Sequence, residues 1–511
     1  MTRVLKGGIL IAAFTSIAAF LNYLLRLFYS RSLSVDDYGL FYAGIGLVNI
    51  LLTYISLGYS YSIAYLVPKY VKIKNYQAAW NVYKYAQIIQ IIATVTISVV
   101  GIIAAPLIFT YYFKSSGDII FVYLLVLYFL ASSVLNTLYY FYIGLQNEKY
   151  YSSLLLARVV LVVFLSLVFW VNKFVSINDL LFVWGVSCII TIVIFWFILH
   201  KKYKYLTSNK LVWNRKLLDK MTGYAVPSIL TMFVYSFINY GDIFFLSLIT
   251  NVRSVAYYSI ILPLASLPLL FTSPLDNLFL PLMSDLMEGE KLRAAKLVNK
   301  VIQIIPVISL YFALFLFIFP SSVISVLFGV KWLGFVEEWL GLLSLGFVMM
   351  SLASLLQTII IGMGMVKERL KISILVAFVS IISYIVLISL FGVPGAVVAN
   401  VLVSAISLIL YYWAASHRIA IKVPGVYYLK MSLLICVAFT VSRLVHPTGI
   451  GILSFLLLGI TYSLAFGLLV YLLKLVDLEY VKTIITAVLK KRGVTGKKAD
   501  IYLGIKGQKD T

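Results

Sequence analysis

The chain has 511 residues, of which 63% are hydrophobic and only 12% charged. A soluble domain carries roughly 45–50% apolar and about 25% charged residues, so this composition, with a mean hydropathy of +1.04, excludes a soluble globular fold and makes lipid the solvent for most of the chain. The formal net charge of +23 comes from 41 Lys and Arg against 18 Asp and Glu, and the basic residues fall between apolar runs, so membrane topology and anionic headgroups explain them better than nucleic acid does.

A helix needs about 20 apolar residues to cross roughly 30 Å of hydrocarbon. Runs of that kind predict an all-α integral membrane protein with about fourteen transmembrane helices. The first six are Gly8–Tyr29, Gly39–Val67, Tyr85–Phe109, Ile119–Leu145, Ser152–Val171 and Leu180–Leu199. The other eight are Gly223–Ile249, Val255–Leu282, Val301–Phe319, Trp339–Gly362, Ile372–Leu390, Gly395–Trp413, Met431–Leu444 and Gly449–Leu473. No small-residue cleavage site follows the first run, which reads as the first helix of the mature protein rather than a signal peptide.

Charge sets the orientation. Alternate loops and the span ends beside them hold Arg31, Lys114, Lys173, Arg253, Lys331 and Arg443, six in all, whereas the other loops and both termini hold thirty-three, and Arg26 and Arg158 lie within helices. The positive-inside bias therefore predicts cytoplasmic termini and an even number of spans. The largest cytoplasmic loop runs from His200 to Thr222 with seven Lys and Arg, and reads as a linker lying on the anionic inner leaflet. Weak internal similarity supports a division on either side of it. Tyr38-Gly39-Leu40-Phe41 and Tyr76-Gln77-Ala78-Ala79 in the first half correspond to Ala256-Tyr257-Tyr258 and Leu292-Arg293-Ala294-Ala295 in the second. The expected domains are an N-terminal lobe (1–200), a linker (201–221), a C-terminal lobe (222–415), two further helices (426–474), and an amphipathic surface helix with a basic cytoplasmic tail (475–511).

Catalytic signatures are missing. No Walker A, HExxH or G-x-S-x-G pattern occurs, and Gly493-Val494-Thr495-Gly496-Lys497 has the wrong spacing for a phosphate loop. Cys188 and Cys436 lie in apolar segments without metal-ligand spacing, and His200, His417 and His446 are scattered at helix ends. The expectation is transport rather than enzymatic chemistry, with no metal and no organic cofactor.

Ionisable residues inside spans cost at least about 2.5–3.5 kcal/mol near the bilayer centre unless they meet water or a partner. Arg26, in the first helix, either snorkels to the outer headgroups or lines a cavity. Asp242, preceded by Asn239, Tyr240 and Gly241 in the seventh, either pairs with Arg26 or binds a proton or cation. Arg158 lies about two turns into the fifth helix, as an inner-leaflet snorkel or a cavity cation. Asp276 sits in the eighth among Pro263, Pro268, Pro274 and Pro281, whose kinks and freed carbonyls are tolerated where a helix lines a cavity. The second helix, its repeat partner, carries Gly44, Gly46 and Gly58. Broken helices at matched positions point to a transport site.

Several of these stretches carry a family resemblance. Leu33-Ser34-Val35-Asp36-Asp37-Tyr38-Gly39-Leu40-Phe41, with Leu57-Gly58 further on, resembles the opening of the Wzx-type polysaccharide-biosynthesis flippases, lipid-linked oligosaccharide exporters of the multidrug/oligosaccharidyl-lipid/polysaccharide (MOP) superfamily. Tyr224-Ala225-Val226-Pro227, Tyr257-Tyr258, Lys367-Glu368-Arg369 and Phe391-Gly392-Val393-Pro394-Gly395-Ala396 extend the resemblance through the second half. It implies two six-helix lobes, an inverted V around a central cavity, plus two C-terminal helices. It also implies alternating access that carries a glycan headgroup from the cytoplasmic to the outer leaflet of the cell membrane.

In that family cavity arginines meet the lipid phosphates. Arg26 matches such a position, and Arg158 and Lys69 are placed with it by depth and charge. The expected substrate is a polyprenyl- or dolichyl-phosphate-linked glycan, bound by Arg26, Arg158, Lys69, Asn239, Asp242 and Asp276. Asp242 or Asp276 would couple the cycle to H+ or Na+. The expected partners are membrane lipids and no nucleic acid, with the protein a monomer. The alternative within the superfamily is a cation-coupled multidrug antiporter, whose first helix typically carries an acid where this one has Arg26. A membrane glycan polymerase is a third reading, which the short outer loops disfavour.

Overall fold

The computed structural model describes residues 2–115, 118–173, 175–287, 289–422, 424–444 and 451–475. Among these no strand occurs. The first helices are α1 (Thr2–Ser32), α2 (Val35–Ile55), α3 (Tyr59–Lys72), α4 (Tyr76–Ile103), the single turn α5 (Ala105–Leu107), α6 (Ile119–Gly144), α7 (Glu148–Val171) and α8 (Ile177–Lys202). After the short α9 (Lys204–Thr207) come α10 (Arg215–Ile249), α11 (Val252–Ala265), α12 (Leu267–Met287), α13 (Lys291–Ile318) and α14 (Pro320–Leu327). The last five are α15 (Glu337–Gly362), α16 (Val366–Phe391), α17 (Val393–Ser416), α18 (Gly425–Leu444) and α19 (Ile452–Leu472). The expected surface helix and tail beyond residue 475 lie outside the described residues, as does His446.

Among the described residues thirteen segments are long and apolar enough to cross a membrane, and each coincides with an expected span. The remaining expected span falls in α1, a continuous helix of 31 residues. Apolar side chains point outward along these helices: Ile92, Val99, Val100 and Ile103 on α4 are exposed, as are Leu456, Leu457, Ile460 and Leu464 on α19. Contiguous apolar surface of this extent needs lipid around it, and the chain is a multi-pass membrane protein.

Local chemistry starts the helices where the sequence offers caps. Ser34 caps α2 by accepting from the Asp37 N–H, with Asp36 and Asp37 in the first turn, where carboxylates favour the helix dipole. Ser176 and Asp179 form a capping box on α8, and Asn214 caps α10. Both expected breaks are present. The second span divides at Ser56–Gly58, with Gly58 at φ +78°, and the eighth divides at Ser266 between α11 and α12.

The chain forms two compact units. The first comprises Met1–Pro263, Leu327–Trp339 and Leu370–Val403; the second comprises Leu264–Val326, Leu340–Arg369 and the described residues from Ser404 on. In the first unit α6 packs on α8 and α4, α1 packs on α7, and α10 packs on α2 and α3. Its core is aromatic, with Tyr29, Tyr38, Phe41, Phe121 and Tyr142 all essentially inaccessible. At the C-terminal end of α1 the segment 327–339 is seated on the first unit. Trp332, fully buried, donates to the Ser30 carbonyl at 3.2 Å, and Lys331 donates to the Leu33 carbonyl at 2.7 Å. Burial pushes the Lys331 ammonium below its ordinary range. Beside it Arg253 forms a two-pronged ion pair with Asp36, at 2.9 and 2.8 Å.

The linker is also tied to the first unit. Asn81 of α4 donates to the Val212 carbonyl at 2.8 Å and accepts from the Val212 N–H at 3.3 Å, while the Tyr85 hydroxyl accepts from the Asn214 N–H at 2.6 Å. In the second unit α13 is the hub, contacting α12, α18 and α19. Leu310 and Leu314 of α13 pack with Met431, Leu434 and Phe466 from the two C-terminal helices, and the Tyr462 hydroxyl donates to the Tyr311 carbonyl at 2.6 Å.

Candidate functional site: an arginine-bearing cavity

Within the first unit, seven helices (α1, α2, α3, α6, α7, α8 and α10) wall a cavity of about 920 Å³. The helices that build it share a pattern. On α2 and its C-terminal cap, Tyr42, Asn49, Thr53 and Ser56 recur every three, four or seven residues, and on α6 Tyr128, Ser132, Asn136 and Tyr140 recur every four. At 3.6 residues per turn each set forms one stripe, so two otherwise apolar helices turn a hydroxyl- and amide-bearing face to a common space. The lining contains seven tyrosines, three asparagines and two arginines, and no carboxylate among the described residues.

The two arginines are Arg26 and Arg158. The Arg26 guanidinium lies over the Tyr42 ring at 4.5 Å, and its Nη1 donates to the Ser259 carbonyl at 3.0 Å. Arg158 enters from α7 with its guanidinium 5.9 Å from the Trp184 ring, beside the Tyr128 phenol. Trp184 is itself fixed, because its indole N–H donates to the Tyr29 hydroxyl at 3.0 Å and that hydroxyl bonds Ser166 at 2.9 Å. The Arg158 Nε is buried without a hydrogen-bond partner among the described residues. A buried N–H of a charged group costs free energy when unpaired, so an acceptor reaching it from the cavity would gain more than the same contact in water.

The other expected residues fall elsewhere. Lys69 on α3 sets its ammonium 3.7 Å from the Tyr65 ring, which in turn packs on Tyr224 at 4.4 Å, outside the cavity lining. Asn239 is exposed on α10 and turns back to the Tyr235 carbonyl at 2.8 Å, although Tyr235 and Tyr240 on either side do line the cavity. Asp242 is buried away from the lining, with one oxygen accepting from the Tyr258 hydroxyl at 2.9 Å and the other from the Ile243 N–H at 2.8 Å. Tyr384 and Asn400, from α16 and α17, close this pocket within the first unit. Asp276 belongs to the second unit, where the Ser354 hydroxyl donates to it at 2.6 Å.

The expected pairing of Arg26 with Asp242 is not formed. Consecutive residues of α11 keep the charges apart: Tyr258 satisfies the carboxylate with a neutral phenol, and the Ser259 carbonyl satisfies the guanidinium. Neither partner bears a charge, so a reading that matched charge to charge could not find them. Apart from Tyr240, the lining tyrosines and asparagines carry no charge that would mark them individually, although their helical spacing is in the sequence.

Comparison with known proteins agrees with this architecture. The model of the polysaccharide biosynthesis protein family matches residues 4–287. An uncharacterized membrane protein of Methanocaldococcus jannaschii, MJ1068, is 24% identical over 499 residues, covering 93% of this chain and 96% of its own. Among solved structures, the lipid II flippase MurJ in an inward closed conformation superposes with a TM-score of 0.71 at 14% identity, covering 91% of this chain and 99% of that one. A multidrug resistance MATE family transporter of the MOP superfamily, inward-facing, gives 0.62 at 16% identity, covering 80% and 98%. At these identities the structural likeness establishes the fold alone, which is MurJ- and MATE-like, while the family match covers more than half of the chain: it belongs to the polysaccharide biosynthesis protein family.

Proposed function

We propose that the protein is a flippase that carries a lipid-linked oligosaccharide from the cytoplasmic to the outer leaflet of the cell membrane by alternating access, with its termini in the cytoplasm. The observation that carries the reading is the composition of the cavity wall: Arg26 and Arg158, surrounded by tyrosines and asparagines, with no carboxylate among the described residues. A polyprenyl- or dolichyl-linked glycan is anionic at its phosphate and hydroxyl-rich at its sugars. Guanidinium groups form charge-assisted, forked hydrogen bonds to phosphate, phenol rings offer flat apolar faces to sugar rings, and amides pair with sugar hydroxyls. The isoprenoid tail would stay in the bilayer, which alone solvates it at no cost.

A carrier of organic cations would need the opposite wall, since two uncompensated guanidinium groups repel a cation in a space of low dielectric. For the same reason Asp242 is the better candidate for coupling to H+ or Na+: it is buried, ligated by uncharged groups and separate from the cavity. Asp276, bonded to Ser354, is the second candidate. Neither an organic cofactor nor a second protomer is needed for this cycle.

Native mass spectrometry of the purified protein with a short-chain lipid-linked disaccharide tests the reading. The expected result is a retained complex that falls about tenfold or more in abundance in Arg158→Ala, the loss of a hydrogen-bonded charge contact being worth roughly 1.5–3 kcal/mol. Arg158→Lys would restore only part, because an ammonium lacks the fork. Equal retention by wild type and Arg158→Ala would remove the cavity from the account.

A further inference from the structure

The Ser259 carbonyl has a specific reason to be available to Arg26. In an α-helix it would accept from the N–H four residues on, and that residue is Pro263, which has none. Ser259 is fully buried, so water does not satisfy the freed oxygen. The donor that does is Arg26 Nη1, at 3.0 Å, from a helix 233 residues away in sequence. The same side chain lines the cavity and stacks on Tyr42. Arg26 thus has one N–H on the backbone of α11 and its other donors within reach of the cavity. The bond also falls at a particular place in the chain, because the first unit ends at Pro263 and the second begins at Leu264.

We propose that Arg26 exchanges acceptors during transport: a phosphate oxygen presented in the cavity displaces the Ser259 carbonyl, and the loss of that bond frees α1 from α11. This rests on the flippase reading and adds to it a coupling element, the carbonyl that Pro263 leaves open. A guanidinium prefers an anionic acceptor to a neutral carbonyl because the charge-assisted bond is roughly twice as strong. A ligand without phosphate leaves the bond in place. Binding at the phosphate thereby releases one helix from another, which is what a carrier needs if an empty and a loaded cavity are to behave differently. Pro263 and Ser259 are positioning residues in this scheme, since neither contacts the substrate.

The test is a double-mutant cycle on phosphate affinity. Wild type, Pro263→Ala, Arg26→Gln and the double variant are reconstituted in nanodiscs and titrated calorimetrically with inorganic diphosphate and, separately, with farnesyl diphosphate. The Pro263→Ala substitution supplies the missing N–H to the Ser259 carbonyl and weakens the hold on Arg26, so this variant should bind diphosphate roughly three- to tenfold more tightly. In the Arg26→Gln background the same substitution should change nothing. Binding of both probes locates recognition in the phosphates alone, whereas binding of farnesyl diphosphate only would show that the exchange also needs the isoprenoid. An effect of Pro263→Ala that is absent in both backgrounds, or equal in both, overturns the exchange while leaving the flippase reading intact if Arg26→Gln still weakens binding. Binding of neither probe to wild type overturns both.

Discussion

Arg26 and Arg158 stood out in the sequence because a charge in an apolar span is costly to place, and the structure puts both on one cavity wall. The partners that hold them were not legible, because they are a carbonyl, a phenol ring and an indole ring rather than acids. Two further side chains at the end of α1 separate packing from charge. Trp332 is fully buried against Tyr38 and Tyr257, at 5.1 and 6.3 Å between ring centroids. Trp332→Ala should therefore cost about 3–5 kcal/mol in a reversible unfolding measurement in detergent. The Arg253–Asp36 pair is exposed on both sides and screened by water, so Arg253→Ala should leave stability almost unchanged, and any loss should shrink further in high salt. A larger cost for Arg253 than for Trp332 would mean that this end of α1 is held by charge rather than by burial.

At the scale of elements, the thirteen described spans coincide with expected ones, but their ends do not. α10 begins at Arg215 rather than near Gly223, and α13 begins at Lys291 rather than near Val301. Hydropathy finds only the part of a helix that lipid solvates, while a helix that continues into water with Lys and Arg on it meets no penalty for doing so. The breaks were more legible than the ends, since Gly58 and the prolines of the eighth span are visible as residues. Gly58 meets two demands at once: its φ of +78° lies in the left-handed region, and a Cβ there would land on the Ala225 carbonyl of α10. Gly58→Ala should lower the unfolding midpoint by several degrees and loosen α3 from α10, read as faster hydrogen exchange at Tyr59–Ser62. Unchanged exchange there would mean that the turn accommodates a side chain.

For the whole molecule, composition and loop charge were enough to read a polytopic membrane protein, and quoted stretches from both halves carried the family. The family match and the likeness to MurJ and to a MATE transporter support that reading. What the sequence could not supply is which intramembrane residues share a space. Six were expected to bind substrate, and two of them line the cavity, because helix rotation and packing decide which residue of a span faces inward, and charge alone does not. The central claim is that this cavity passes an anionic, sugar-bearing lipid. The most direct measurement is translocation of a fluorescent lipid-linked oligosaccharide in proteoliposomes, followed by quenching of the outer leaflet with a membrane-impermeant reductant, for wild type, Arg26→Ala and Asp242→Asn. The account predicts protein-dependent translocation that Arg26→Ala lowers at least about tenfold with folding intact, and that Asp242→Asn makes insensitive to an imposed H+ or Na+ gradient. No translocation of the glycolipid by wild type, together with Asp242-dependent efflux of a cationic dye, would contradict it.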